Sequence, residues 1–200
     1  MKHNACDHPG LLLIISGPSG VGKTTITHRV EKLLDAVFSV SMTTRPRTSE
    51  DVEGRDYCFV TRDEFKRHLD RGDLLEHADV FGNFYGTPRQ PVERHLRAGR
   101  VVILEIDVQG AVQIKRNMPE TFALFVEPPS EEELLRRLRS RGREDETTIQ
   151  RRFAKAKKEI AMARECGVYD RFLVNDDLDQ TIEQAVRIVR EELAKRQHAA

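Results

Sequence analysis

The sequence reads Gly17-Pro18-Ser19-Gly20-Val21-Gly22-Lys23-Thr24 directly after the apolar run Leu11–Ile15 and ahead of a helical pattern. This segment fits G-x-x-x-x-G-K-[ST], the phosphate-binding loop (P-loop) that connects a strand to a helix. Glycines let backbone N–H groups curl around phosphate oxygens, and the N-terminus of the next helix adds the positive end of its dipole. Lys23 can reach the β- and γ-phosphates, and the Thr24 hydroxyl can ligate Mg²⁺. Residues 17–24 are therefore predicted to bind ATP or another nucleoside triphosphate.

Three further apolar runs extend the pattern outward from this loop: Val101–Ile106, Phe122–Val126 and Phe172–Val174. Long stretches with helical periodicity separate them. Buried parallel strands give continuous apolar runs of this kind, and an alternation of strands and helices is typical of a parallel sheet covered on both faces. The sequence thus predicts an α/β protein with a three-layer core built on a parallel sheet.

Two segments break this alternation. Between Ser39 and Pro91 the pattern changes to short segments with glycines at 54, 72, 82 and 86. Such spacing predicts a small mixed or antiparallel insert, which is a candidate substrate-binding region. Residues 136–150 contain Gly142 and dense charge, which indicates a helical lid that moves over the site.

Two groups of charged residues lie where such a fold places its ligands. One apolar run ends in Glu105 and Asp107, at the carboxyl edge of the sheet, where either acid can hold a magnesium-bound water or a substrate. Five arginines fall between residues 136 and 143, and Arg151 and Arg152 follow on the next helix. Fixed guanidinium groups stabilise the charge that spreads over a transferred phosphoryl group. We therefore expect two or three of these arginines to contact phosphate.

Composition and charge limit the classes of protein that need consideration. Of 200 residues, 38% are apolar and 12 are glycine, which is typical of a globular chain rather than a disordered one. The 33 basic and 33 acidic side chains leave no formal net charge, so nothing attracts the whole chain to nucleic acid or anionic membranes. The longest apolar run has five residues, against about 18 for a membrane span, and the three cysteines lack C-x-x-C spacing. We expect a reduced, cytoplasmic protein without nucleic-acid or membrane partners.

Beyond the phosphate-binding loop, successive stretches resemble the signatures of the guanylate kinase family, in the family's order and across essentially the whole chain: SVSMTTRPR, EGRDYCFVTRDEF, LLEHADVFGNFYGTP, LEIDVQGA, FVEPPS, RLRSRGRE and VNDDLD. The resemblance implies Mg²⁺-dependent transfer of the γ-phosphate of ATP to GMP, and also to dGMP. It implies one domain over residues 1–200 in three parts. These are a core at about 1–38, 92–132 and 154–200, an inserted mixed α+β GMP-binding region at about 39–91, and a helical lid at about 133–153. Whether the protein is a monomer or a homo-oligomer is left open.

The resemblance also implies three sets of site residues, matched by motif. Those for ATP are residues 17–24 and Asn175, and those that act on the transferred phosphate are Lys23, Arg137, Arg141 and Arg152. Those for GMP are Ser41, Arg45, Arg47, Tyr57, Glu76, Tyr85, Thr87 and Asp107. Magnesium would be held by Thr24 and, through water, by Glu105. An arginine fork and phenol hydroxyls suit a dianionic phosphate, and carboxylates accept hydrogen bonds from guanine N1–H and the N2 amino group.

The sequence departs from the family's pattern at two places. The family usually reads Arg-x-x-Arg in its first phosphate motif, whereas Arg45-Pro46-Arg47-Thr48 places the second arginine one residue early. The register of Arg47 toward the GMP phosphate is therefore open. The first strand-end acid is usually aspartate, and here it is Glu105, one methylene longer. That difference changes how the site would engage magnesium or its water.

Three other classes of protein compete with this interpretation. A kinase for another acceptor, such as a phosphorylated pentose or a different nucleoside monophosphate, is disfavoured by the joint presence of Ser41, Glu76 and Thr87. Phosphopeptide-binding modules related to guanylate kinase commonly lose the chemistry of the phosphate-binding loop, whereas this chain keeps Lys23 and Thr24. A regulatory GTPase would carry an N-K-x-D motif, which the sequence lacks.

Overall fold

The computed structural model describes residues 10–80, 82–140 and 145–199. In chain order its strands are β1 (Leu11–Ser16), β2 (Val37–Phe38), β3 (Met42–Thr43), β4 (Cys58–Phe59), β5 (Leu74–Val80), β6 (Asn83–Pro88), β7 (Val101–Glu105), β8 (Phe122–Glu127) and β9 (Arg171–Val174). Its helices are α1 (Lys23–Leu34), α2 (Arg62–Asp70), α3 (Arg89–Arg97), α4 (Val108–Asn117), α5 (Glu131–Ser140), α6 (Glu146–Glu165) and α7 (Leu178–Ala199). Among these described helices, none is both long and apolar enough to cross a membrane.

Five parallel strands form the main sheet in the order β2-β7-β1-β8-β9. The central strand is β1, where Leu13 pairs with Ile103 of β7 on one side and with Phe122 of β8 on the other. All six residues of β1 are buried, which explains its uninterrupted apolar sequence. The predicted α/β fold with a parallel sheet is confirmed.

Alternate residues of β1 belong to two separate hydrophobic cores. Leu11, Leu13 and Ile15 pack with α1 and α7 on one face of the sheet. Leu12 and Ile14 pack with α3 and α4 on the other face. Helices therefore cover both faces in three layers, and ligands have access to the sheet at the carboxyl ends of its strands.

The insert predicted between Ser39 and Pro91 contains a second sheet in the order β4-β3-β6-β5. Strands β3 and β4 are parallel, whereas β6 runs antiparallel to both β3 and β5, so this sheet is mixed. Helix α2 covers it with Phe65, which packs against Met42 and Leu74. The insert thus has a small core of its own, and Leu75 of β5 also packs into the core beneath α3 and α4.

Helices α5 and α6 occupy the predicted lid and pack together through a small apolar cluster of their own. The end of α6 joins the main core, where Ala163 packs against Phe125 of β8 and Arg164 donates to Glu127 at 2.9 and 3.2 Å. The expected lid–core boundary at 153/154 thus falls inside α6, and the one at 91/92 falls inside α3. The division into core, GMP-binding region and lid stays a prediction. Arg141 lies outside the described residues.

Candidate active site

The phosphate-binding loop connects β1 to α1, as the sequence predicts. Gly20 and Gly22 have φ values of 90° and 95°, in the left-handed region that favours glycine. A Cβ atom on Gly22 would lie 2.9 Å from Asn175 Nδ2, and one on Gly17 would lie 2.5 Å from the carbonyl oxygen of Val126. The glycines therefore allow both the backbone conformation of the loop and its close contact with β8 and Asn175.

Lys23 and Thr24 form the first turn of α1 and reach groups on either side of the loop. Lys23 Nζ donates to the carbonyl oxygens of Gly17 at 2.6 Å and Pro18 at 3.3 Å, so the ammonium lies across the loop. The Thr24 hydroxyl donates to Glu105 Oε1 at the end of β7, at 2.9 Å. The structure thus brings together the two residues predicted for magnesium.

Three predicted residues from distant parts of the chain reach the loop or its support. The Asn175 side chain is buried and donates to the carbonyl oxygen of Val21 at 2.7 Å. Arg137 Nη1 of α5 donates to the carbonyl oxygen of Asn175 at 2.9 Å. Arg152 Nη2 of α6 donates to Ser19 Oγ at 2.6 Å. Two arginines predicted to act on the transferred phosphate therefore lie beside the predicted ATP site.

A cavity of about 310 Å³, called here the acceptor cavity, lies between the insert and the carboxyl edge of the main sheet. Its lining contains Ser41, Tyr57, Glu76, Ala78, Val80, Tyr85, Glu105, Ile106 and Asp107. Five residues predicted for GMP, from four separate stretches of sequence, therefore meet around one space. Thr87 and Arg45, also predicted for GMP, contact Glu76 and Tyr57 of this lining.

Glu76 is the most buried acid of the acceptor cavity, with 6% of its surface exposed. Thr87 Oγ1 donates to Glu76 Oε1 at 2.7 Å. Burial, reinforced by the nearby charge of Asp107 and only partly offset by the Thr87 hydroxyl, raises the pKa of Glu76 to about 7. A Cβ atom on Gly110 would lie 3.0 Å from Glu76 Oε2, so glycine at that position leaves room for the carboxylate.

Asp107 has a second role that its motif does not reveal. Its side chain is the N-cap of α4, where Oδ1 accepts a hydrogen bond from the backbone N–H of Gly110 at 2.9 Å. This cap fixes the carboxylate at the end of the strand–helix connection. One oxygen of Asp107 is thereby engaged, while the residue still lines the acceptor cavity.

Arg45, Tyr57 and Tyr85 form a cluster at the acceptor cavity. Arg45 Nη1 and Nη2 donate to Asp51 Oδ2 and Oδ1 at 3.0 and 2.8 Å. The guanidinium carbon lies 5.4 Å from the centre of the Tyr57 ring, and the Tyr57 and Tyr85 rings meet edge-on at 5.6 Å. Asp51, with a smaller contribution from Tyr85, raises the pKa of Arg45. A guanidinium and two phenols thus gather where the monophosphate is predicted to bind.

Sequence reasoning missed Asp51, the partner of Arg45. The backbone N–H and the hydroxyl of Thr48 both donate to Asp51 Oδ2 at 2.7 Å. Arg45 and then Thr48 hold the pKa of Asp51 well below its ordinary value. The spacing Thr-x-x-Asp is the signal that could have found it, because such short polar side chains close turns.

Arg47 is exposed and donates from Nε to the backbone carbonyl of Asp51 at 3.0 Å.

A second cavity of about 340 Å³, called here the cleft, opens between β5 and α6 and adjoins the acceptor cavity at Asp107. Lys155, Lys158 and Glu159 line it from α6, and Asp79 lines it from β5. Burial raises the pKa of Glu159, against the positive charges of Lys155 and Lys23. Sequence reasoning missed Glu159, since Lys157 and Lys158 directly before it make it look like ordinary helix surface.

Comparison with known proteins places these features in one family. The sequence profile described as guanylate kinase matches residues 10–192, which contain the phosphate-binding loop, the acceptor cavity and the cleft. The chain belongs to the guanylate kinase family. The guanylate kinase of Ruegeria sp. (strain TM1040) is 46% identical over 192 residues, which cover 94% of this chain and 87% of that protein. The guanylate kinase of Gloeobacter violaceus (strain ATCC 29082 / PCC 7421) is 46% identical over 188 residues, covering 93% and 90%.

A solved structure extends the likeness from sequence to fold. The crystal structure of guanylate kinase from Anaplasma phagocytophilum superposes with a TM-score of 0.75 at 37% identity, covering 93% of this chain and 87% of that chain. The mixed insert and the parallel core therefore belong to the guanylate kinase fold. The phosphopeptide-binding and GTPase alternatives have no comparable support from these relatives, which are named as kinases.

Proposed function

We propose that this member of the guanylate kinase family transfers the γ-phosphate of ATP to GMP, giving ADP and GDP, and that it accepts dGMP as well. The acceptor cavity is the observation that carries the proposal. Glu76 offers buried carboxylate acceptors, while Tyr57 and Tyr85 line the same space with phenols. Guanine presents donors and the attached phosphate presents acceptors, so one cavity complements both ends of GMP.

ATP is proposed to bind at residues 17–24. Backbone N–H groups of the loop and the N-terminus of α1 would surround its phosphates. Lys23, whose ammonium already lies across the loop, would neutralise charge that develops on the transferred group. Asn175 would act on ATP through the loop, because its amide holds the carbonyl of Val21.

The lid arginines are proposed to stabilise the transferred phosphoryl group. Arg137 and Arg152 are held at Asn175 and Ser19, at the margin of the loop. Guanidinium groups placed there would meet the charge spread over the phosphoryl oxygens. Arg141, from the same charged segment, is proposed to join them. When both substrates are bound, α5 and α6 would also keep water from the reacting phosphate.

Magnesium fits the oxygen ligands found beside the loop. Mg²⁺ usually binds one or two protein oxygens together with waters and substrate phosphates. The Thr24 hydroxyl and the Glu105 carboxylate, joined by a 2.9 Å hydrogen bond, are oxygen ligands of that kind. We propose that Thr24 ligates the ion and that Glu105 holds one of its waters. The ion would supply charge neutralisation on the phosphates of ATP.

GMP is proposed to bind with guanine against Glu76 and its phosphate against the arginine–tyrosine cluster. The Glu76 carboxylate would accept from N1–H and the N2 amino group, with Thr87 holding its other side. The remaining base contacts are proposed for Ser41 and Asp107. The proposed phosphate contacts are Arg45, Arg47, Tyr57 and Tyr85.

A panel of acceptors tests this proposal. Coupled measurement of ADP release with GMP, dGMP, AMP, dTMP and ribose 1,5-bisphosphate should give rapid turnover with GMP and dGMP alone. Lys23→Ala should nearly abolish that turnover in a protein that remains folded by circular dichroism, because the transferred group loses its compensating charge. Faster ADP release with AMP or ribose 1,5-bisphosphate than with GMP would contradict the assignment of the acceptor. A folded Lys23→Ala protein that kept a tenth of the kcat would contradict the role of Lys23.

A further inference from the structure

The hydrogen-bond inventory of Arg45 shows which of its edges is open to a ligand. A guanidinium carries five N–H donors. Asp51 accepts one from Nη1 and one from Nη2, at 3.0 and 2.8 Å, and the carbonyl oxygen of Pro46 accepts another from Nη1 at 3.0 Å. The donors that Asp51 and Pro46 leave are Nε–H and the second N–H of Nη2, and the Tyr85 hydroxyl also lies within interaction range of the guanidinium. These two N–H groups lie side by side on one edge and form a fork that fits two oxygens of a phosphate.

Asp51 is itself held, so it can impose this arrangement. Thr48 donates twice to Asp51 Oδ2, from its backbone N–H and its hydroxyl, both at 2.7 Å. Arg47 Nε donates to the backbone carbonyl of Asp51 at 3.0 Å. The Asp51 side chain is only 14% exposed, which limits competition from water. The carboxylate is therefore a fixed support within the loop.

Aromatic rings fix the plane of the same guanidinium. The Arg45 guanidinium carbon lies 5.4 Å from the centre of the Tyr57 ring and 5.5 Å from that of Phe59. Such contacts hold the plane of the group but leave it able to rotate within that plane. The bidentate pair with Asp51 removes this rotation. Tyr57 and Tyr85, whose rings meet at 5.6 Å, stand beside the restrained group at the wall of the acceptor cavity.

We propose that Asp51 is a positioning residue for the acceptor: it occupies the terminal edge of Arg45 so that only the Nε–Nη2 edge faces the monophosphate of GMP. This inference rests on the proposed function and adds to it a residue that does not contact the substrate. Asp51 also places a negative carboxylate near the predicted phosphate site. The gain in binding from orienting Arg45 must therefore exceed the electrostatic repulsion between Asp51 and the phosphate. Removal of Asp51 should therefore weaken the binding of the phosphate and leave the binding of the base unchanged.

The test compares Asp51→Asn with a matched change in the same loop. Asp56 pairs with Arg55 and accepts from the Val52 N–H, so Asp56→Asn removes an equal charge without touching Arg45. Asp51→Asn should raise the KM for GMP about tenfold or more, because the amide cannot accept both hydrogen bonds of the fork. The KM for ATP should stay unchanged, and kcat should change much less than the KM for GMP. Asp56→Asn should leave the KM for GMP, the KM for ATP and kcat close to their wild-type values.

Inhibition by guanosine, which has the base but no phosphate, separates positioning from a general loss of structure. Its inhibition constant should be the same in Asp51→Asn as in the wild type. Thr48→Val removes one of the two donors that hold Asp51 and should raise the KM for GMP in the same direction by a smaller factor, so the idea remains testable if Asp51→Asn does not fold. Asp51→Glu, which restores the charge, should recover part of the loss.

Three results would overturn the inference. An unchanged or lowered KM for GMP in Asp51→Asn would show that Asp51 competes with the phosphate or has no effect. Equal weakening of GMP and guanosine would show that Asp51 only maintains the loop. An equal rise in KM from Asp56→Asn would assign the effect to loop charge. None of these results bears on the proposed function, which fails instead if the wild-type protein releases no ADP with GMP.

Discussion

Glu76 experiences two opposing demands at the scale of a single residue. Its burial raises the pKa of the carboxyl group to about 7, which favours the protonated form near neutrality. The donors of guanine require the ionised form, which alone offers acceptors at both oxygens. The Thr87 hydroxyl donates to Oε1 and thereby favours the ionised form, which lowers the pKa of Glu76 against the effect of burial. The second oxygen, Oε2, lies beside Gly110, and we expect it to accept from the donors of guanine.

Glu76→Gln should lower kcat/KM for GMP by about two orders of magnitude, while the rate with AMP stays level or rises. The backbone N–H of Thr87 interacts with this carboxyl group in addition to the hydroxyl, and since an N–H can only donate, the glutamine carbonyl is expected on that side and its amino group at the second position. That amino group would meet the donors of guanine, but it suits the bare N1 of adenine. Steady-state kinetics with both nucleotides check this expectation.

The exposed Glu50 supplies the control for this substitution, because Glu50→Gln removes the same charge from the same insert. It should leave both rates unchanged. If Glu76→Gln reduced the rates with GMP and AMP in equal proportion, Glu76 would be a structural acid. Recognition of guanine would then move to Ser41, Thr87 and Asp107.

The same substitution should change how stability depends on pH. The pKa of Glu76 is about 7 in the folded protein and 4.5 for an ordinary glutamate, so the folded state binds this proton more tightly. The free energy of unfolding therefore falls as pH rises from about 4.5 to about 7, by at most about 3 kcal/mol. Glu76→Gln removes this loss, and its free energy of unfolding relative to wild type should be higher at pH 8 than at pH 5. A difference that does not vary between these pH values, measured by urea unfolding, would show that burial does not shift this group.

At the scale of the elements, the sequence predicted strands well where both faces are buried. The runs that became β1, β7 and β8 are continuous and apolar because helices cover both sides of the sheet. Strands β2 and β4 could not be predicted, since two residues are too few to show any period. Their pairing depends on long-range neighbours such as Val102 of β7. The fold class and the edge strand β9 were therefore predictable, while the two-residue edge strands β2 and β4 were not.

The candidate site was predictable in a similarly uneven way. Motifs located Glu76, Tyr57 and Tyr85, because each lies in a stretch with a recognisable pattern. They gave no partner for Arg45 and no role for Glu159, because those contacts form only when separate segments of chain fold together. The roles of all these residues stay predictions until mutants are measured.

Helices α5 and α6 should become more protected from hydrogen exchange only when ATP and GMP are both bound. They pack mainly on each other and reach the rest of the site through side chains such as Arg137 and Arg152. Elements with few contacts outside their own pair open at low cost, and bound phosphates would add contacts to both arginines. Exchange measured with a non-hydrolysable ATP analogue and GMP should slow in α5 and the first half of α6, with α7 unchanged. Equal exchange with and without ligands would rule out this closure.

At the scale of the whole molecule, the charges balance but are not evenly placed. The formal net charge is zero. In the cleft, however, Asp79 of β5 and the α6 residues Lys155 and Lys158 line one space. Opposite charges on two walls attract as the walls approach, and the attraction grows as water leaves the space between them. We therefore expect the wall formed by β5 and the wall formed by α6 to move toward each other when the cleft loses water.

The whole molecule should therefore contract most when both nucleotides are bound. ATP alone would contact the loop and the lid arginines, and GMP alone would contact the acceptor cavity, so neither alone links the two walls of the cleft. Small-angle X-ray scattering should show the smallest radius of gyration with a non-hydrolysable ATP analogue and GMP together. Asp79→Lys, which replaces attraction across the cleft by repulsion from Lys155 and Lys158, should reduce this contraction. A radius of gyration that is the same in all four ligand states would show that the cleft does not narrow when the nucleotides bind.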